Sequence, residues 1–199
     1  MCIRDRIYVK KELFKIITLP SPAPTRVIRN NLARSFAGIF GKGDRKLLFE
    51  SINELVGLVN APGKAEKDIR TKHAAVTCLG AVFEAAGDSA QSLFALATSS
   101  LVKQLKGAAN HTGLRGAIFK SLGQIVKGVA PSVDEQAAKD IWRAARTVAA
   151  NDKSYLVQAS ACGCLEQLVK STGYYDNSND FEKLQASIWK AMDLSLIHI

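Results

Sequence analysis

Histidine is scarce in this chain, with three in 199 residues. No two of them lie one helical turn apart with a glutamate between, which excludes the zinc-protease motif. Cysteine forms no framework. Cys162-x-Cys164 has too short a gap for the usual zinc pair, and Cys78 stands far from both. With Cys2 set aside as part of the amino-terminal hexapeptide, the remaining three of the four cysteines are an odd, sparse set that points to a reducing compartment. No uncharged run approaches the ~18–20 apolar residues a membrane helix needs. The most apolar stretch, His73 to Phe83, stops at Glu84. Gly41-Lys42-Gly43 lacks the strand before and the Gly-Lys-Ser/Thr ending of a phosphate loop, so it reads as a turn between helices. Asn110-His111-Thr112 spells a glycosylation sequon, idle in a cytosolic chain, where Asn110 or Thr112 would cap a helix. These absences leave no expected catalytic residue, metal or cofactor.

What remains is an ordinary globular composition, 47% hydrophobic and 23% charged. The formal net charge is +9. Such a balance suits acidic protein surfaces, nucleic acid or anionic membrane, or it is a local excess within a larger protein. The basic residues are scattered rather than blocked into runs, which favours local excess.

The ends read differently from the middle. Met1-Cys2-Ile3-Arg4-Asp5-Arg6 and Leu194-Ser195-Leu196-Ile197-His198-Ile199 admit codons that are near reverse complements. Residues 1–6 and 194–199 are therefore expected to be a non-native sequencing-adaptor scar, excluded from fold reasoning. Residues 7–193 are then expected to be an internal slice of a longer protein.

The slice repeats itself. Phe36, Leu79, Leu122 and Leu165 are each 43 residues from the next. The same step links Ile39, Val82, Ile125 and Leu168; Phe40, Phe83, Val126 and Val169; and Leu32, Ala75, Ile118 and Ala161. Within one copy the columns fall at i, i+4, i+7 and i+8, one face of a helix. Turn signals divide each copy into two helices. Asp44 is placed to cap one that Pro62-Gly63 ends. Gly87 closes another, with Asp88 and Ser89 placed to cap its successor. Ser132 and Glu135 have capping-box spacing, Asp152 is placed to cap the last second helix, and Thr172-Gly173 stops it. Copies run roughly 7–42, 43–87, 88–130 and 131–173, with a partial copy over 174–193.

Repeats of about 40–47 residues with two helices are the HEAT pattern. The expected fold is all-α: an α-solenoid forming a right-handed superhelix of antiparallel helix pairs, about four repeats of 43 residues. One pair cannot hide its apolar stripe alone; stacking makes a continuous core. Cys78 and Cys164 share a repeat position, which favours core packing over redox chemistry. Trp142 and Trp189 fit packed helical positions better than exposed binding anchors. Arg29, Lys72 and Arg115 form a basic column, which Gln158 breaks. Two readings fit it: a ladder that grips a partner, or a scaffold ladder satisfying carbonyls and acids in neighbouring turns.

Thr71-Lys72-His73-Ala74-Ala75-Val76-Thr77-Cys78-Leu79-Gly80-Ala81-Val82-Phe83-Glu84 resembles a segment of the HEAT-repeat-containing protein 5 family. That family includes the large accessory protein of the adaptor-protein-1 clathrin complex. Asn31-Leu32-Ala33-Arg34 with Gly43-Asp44, Leu101-Val102-Lys103-Gln104-Leu105-Lys106, and Ala144-Ala145-Arg146 resemble the same region in the same order. The resemblance spans about residues 19–171. It implies a non-enzymatic cytoplasmic scaffold, peripheral to Golgi and endosomal membranes, that touches membrane only indirectly. The implied partners are clathrin adaptors and their accessory proteins in vesicle-mediated transport, with no small-molecule substrate and no nucleic acid. A nuclear transport receptor or chromosome-associated scaffold is the rival reading, and basic charge suits it. A metal-dependent hydroxylase on a HEAT body would need His-Glu pairs on inner helices, and the slice has none.

Overall fold

A computed structural model describes residues 3–19, 24–130 and 132–174, with residues 182, 185, 186 and 189. Among the described residues there are helices and no strands. They are α1 (Ile3–Thr18), α2 (Arg26–Phe40), α3 (Arg45–Asn60), α4 (Glu66–Ala86), α5 (Phe94–Gly107), α6 (Thr112–Val129), α7 (Glu135–Asn151) and α8 (Tyr155–Thr172). A 3-10 segment, Gly87–Leu93, links α4 to α5. Of the two terminal hexapeptides, Ile3 to Arg6 begin α1 and residues 194–199 lie outside the described set. So do most residues of the expected partial copy, 174–193.

The helices pack in two rows. In one, α2 meets α4, α4 meets α6 and α6 meets α8. In the other, α3 meets α5 and α5 meets α7, along much less of their length. Cross-row contacts join α3 to α4, α5 to α6 and α7 to α8. This arrangement is compatible with an α-solenoid.

The core lies between the rows. Of the sixteen column residues, all are buried except Ile39 and Val169, which are partly buried and packed against the core. The apolar face of each even-numbered helix is thus buried in the core. Phe14, Phe36 and Phe40 add aromatic contacts at the first pair, with Phe14 edge-on to Phe36 at 5.2 Å between centroids.

Helix ends follow the sequence signals in part. Asp44 Oδ1 accepts from the Leu47 N–H at 2.8 Å, as an N-cap should. Gly63, Gly87 and Gly173 all take positive φ at helix boundaries, a conformation glycine reaches without a Cβ clash.

Four expected caps are corrected. Asp88 and Ser89 cap nothing, because residues 87–93 continue as 3-10 helix and α5 begins only at Phe94. Asp134, not Ser132, caps α7, its Oδ1 accepting from the Ala137 N–H at 2.8 Å. Neither Asn110 nor Thr112 caps α6, whose N-cap position is His111. Asp152 does not cap α8; the N-cap there is Ser154, and the Asp152 side chain serves the preceding turn.

Candidate protein-interaction groove

The even-numbered helices come unusually close, and small residues permit it. A Cβ on Gly80 would stand 2.8 Å from Ser121 Cα. A Cβ on Gly123 would stand 3.4 Å from Cys164 Cα. Gly80 and Gly123 are one 43-residue step apart, and so are Ser121 and Cys164. Ala85 stands against Gly41, and Gly128 against the backbone of Phe83, two further close approaches between successive even-numbered helices. Ser121 Oγ donates to Val76 O at 2.7 Å inside the same seam. The glycine column was legible as a period but was not singled out from the sequence. Its signal was glycine recurring at one repeat position inside helices, where glycine otherwise costs about 1 kcal/mol.

Cys164 belongs to this seam, and Cys78 is buried on α4. Both are buried, and burial pushes each thiol up to about 12, which makes them poor thiolates. Cys162 is half-buried, and burial raises its thiol as well. No group of three potential metal ligands exists among the described residues. Trp142 is fully buried, edge-on to Tyr174 at 6.3 Å between ring centroids. Trp189, expected to be packed, is instead exposed.

The basic column is engaged locally. Arg29 Nη1 donates to Pro24 O at 2.8 Å in the turn before its own helix. Lys72, buried along its stem, donates to Gly63 O at 3.2 Å. Arg115 pairs with Asp152 across to the α7–α8 turn, where Asp152 also accepts from the Ser154 N–H at 2.9 Å. Each cation answers a loop acceptor that the helices leave over. In this structure the three side chains thus tie turns to helices. Gln158, half-buried, holds the same place on α8 without a charge.

Other side chains form the open surface. Three adjoining clefts, of 290, 410 and 480 Å³, run across α2, α4, α6 and α8. Lys120 and Gln124 line all three and join them into one groove. Its floor is made of small residues, among them Gly113, Gly116, Ala117, Ala159 and Gly163. The cations along it are Arg26, Arg29, Arg34, Lys120 and Lys127.

Glu84 is the one acidic residue among the groove's described lining. It accepts from Lys127 Nζ at 2.7 Å and from Gln124 Nε2 at 2.8 Å. Burial would raise its carboxyl, but those hydrogen bonds and the charges of Lys127 and Lys120 hold it below the usual range. The field of the groove is felt by its own bases. Burial and then the Arg29 charge depress His73 to about 4. Burial and then Arg26 lower Arg29. The groove thus disfavours positive charge on its own bases, through burial first and neighbouring cations second.

A further cleft of 520 Å³ opens between α5 and α7, lined by Thr98, Val102, Lys103, Lys106, Ala137 and Asp140 among others. It marks where the odd-numbered row packs loosely. No protein-family model and no solved structure matches the chain.

Proposed function

We propose that this chain is a stretch of a HEAT-type α-solenoid and works as a non-enzymatic protein-interaction scaffold. The observation that carries the reading is the seam of the even-numbered helices. Contacts there recur between successive even-numbered helices: Gly80 with Ser121 and Gly123 with Cys164, each 41 residues apart, and Glu84 with Lys127, 43 apart. Modules that meet their neighbours in the same way each time form a quasi-one-dimensional stack. The even row is tight and the odd row loose, so the stack bends toward the even row. The groove then lies on the inner side of that bend.

The trafficking assignment rests on the resemblance of residues 71–84 to the HEAT-repeat-containing protein 5 family. On that reading the chain binds clathrin adaptors or their accessory proteins, and acts in the cytoplasm beside Golgi and endosomal membranes. No helix among the described residues is long and apolar enough to cross a membrane, so the reading places any membrane contact in a partner.

The test is affinity capture from a cell lysate with the tagged chain, followed by quantitation of clathrin-adaptor subunits. Enrichment over a tagged helical control of equal charge supports the assignment. No adaptor enrichment, together with DNA binding that falls steeply with salt, would transfer the chain to the chromosome-associated rival.

A further inference from the structure

We propose that the groove across α2, α4, α6 and α8 seats an acidic segment of a partner polypeptide, held by Arg26, Arg34 and Lys120. The inference rests on the scaffold reading and names the chemistry that its surface takes.

Charge is the first argument. The groove collects five cations against one carboxylate, and that carboxylate is already answered by Lys127 and Gln124. Arg29, by contrast, is tied to Pro24 O. Arg26, Arg34 and Lys120 are exposed side chains of the groove: Arg26 lines one cleft, Arg34 the next, and Lys120 both. A run of carboxylates would meet them in turn, with bidentate geometry available at the two arginines.

Shape is the second argument. Glycine and alanine along the floor let a backbone approach closely. Nothing lies within 4 Å of where a Gly163 Cβ would be, so the groove is open at that point. Leu156, 64% exposed, stands on the wall beside it. An apolar side chain within the acidic segment would cover Leu156 and gain what an exposed leucine forfeits.

The groove suits protein over single-stranded nucleic acid. No phenylalanine, tyrosine or tryptophan is among its described lining residues, and its one ring, His73, is half-buried, so it offers no run of rings for successive bases to stack on.

The experiment uses the full chain and a fluorescein-labelled oligo-glutamate peptide with a central leucine, read by anisotropy at moderate salt. An oligo-lysine peptide and a single-stranded DNA of similar length are the comparison probes. Three variants are compared: Arg26→Glu/Arg34→Glu/Lys120→Glu in the groove, Lys103→Glu/Lys106→Glu/Arg143→Glu on the odd-numbered row, and Gly163→Phe. Circular dichroism melts show that each is folded.

The groove triple variant should weaken peptide binding by at least about tenfold, and the odd-row variant by less than about twofold. Gly163→Phe, which fills the groove without changing charge, should weaken it about fivefold or more. The His73 imidazole midpoint, followed by NMR, should rise when the peptide is bound. Equal losses in the two charge variants, unimpaired binding by Gly163→Phe, tighter binding of DNA than of peptide, or no peptide binding would each overturn the proposal. Wild-type chain that captures adaptor but not the peptide overturns this inference alone. Chain that binds the peptide through the groove but captures no adaptor overturns the trafficking assignment alone.

Discussion

The two rows of helices differ in what separates them. In the even row, glycine and small side chains stand where helices cross, and backbones almost touch. In the odd row, α5 and α7 leave a cleft between them. Both rows carry apolar residues of similar kind toward the shared core. The spacing of the helices is therefore set less by how oily each row is than by side-chain size at the crossings. A row whose crossings admit only hydrogen becomes a seam, and a seam presents a shallow, small-floored solvent-facing surface on which charges can be arrayed.

The sharpest way to break this comparison is to hollow the core that both rows share. Leu122 is fully buried, so Leu122→Ala should cost about 2–5 kcal/mol in chemical denaturation, cavity included. A loss under about half a kcal/mol would mean that the repeat register is wrong.

Next comes the seam itself. Gly80→Leu forces a side chain toward Ser121 and should cost about 1–3 kcal/mol or more. Ala95→Leu, an exposed position beside the odd-row cleft, should change stability by less than about half a kcal/mol. Equal effects at the two sites would erase the difference between the rows.

A third test uses pH. His73 titrates near 4 in the folded chain against about 6.5 in an unfolded one. Between those values the unfolded chain binds more protons, so folding stability rises with pH across the window. The His73 contribution is fully present above about 6.5 and lost as pH falls toward 4. Because the ring is only half-buried, solvent screening reduces the effect to on the order of 1 kcal/mol. His73→Gln should flatten that part of the stability–pH curve, and an unchanged curve would deny the His73 ring the burial that, ahead of the Arg29 charge, depresses it.

The smallest effect has the clearest sign. Gly163 has open space around its missing Cβ, so Gly163→Ala should stabilise α8 by about 0.5–1 kcal/mol through helix propensity. Gly80→Ala meets Ser121 and should destabilise instead. Thermal melts of the two alanine variants should therefore move in opposite directions.

Much of this was legible in the chain itself. The 43-residue step and the inward face of each even helix followed from apolar columns, because burial constrains residue type strongly. Helix starts were less legible. Around α7 both Ser132 and Asp134 are competent caps, and only the path of the chain after α6 selects Asp134. At α8, Asp152 was drawn away by Arg115, a partner 37 residues distant that local spacing does not reveal. The groove was the least legible feature. Its cations come from different repeat positions on two helices (α2 and α6), so no single column displays them. The basic column that periodicity did display, Arg29, Lys72 and Arg115, is consumed by turns.

The most direct measurement is a set of nuclear Overhauser contacts in isotopically labelled protein. Close contact across the even-row seam predicts cross-peaks from Gly80 Hα to Ser121 Hα and from Gly123 Hα to Cys164 Hα, two contacts of equal sequence separation. Intact short-range helical cross-peaks with neither of these present would leave the helices standing and contradict the repeating seam.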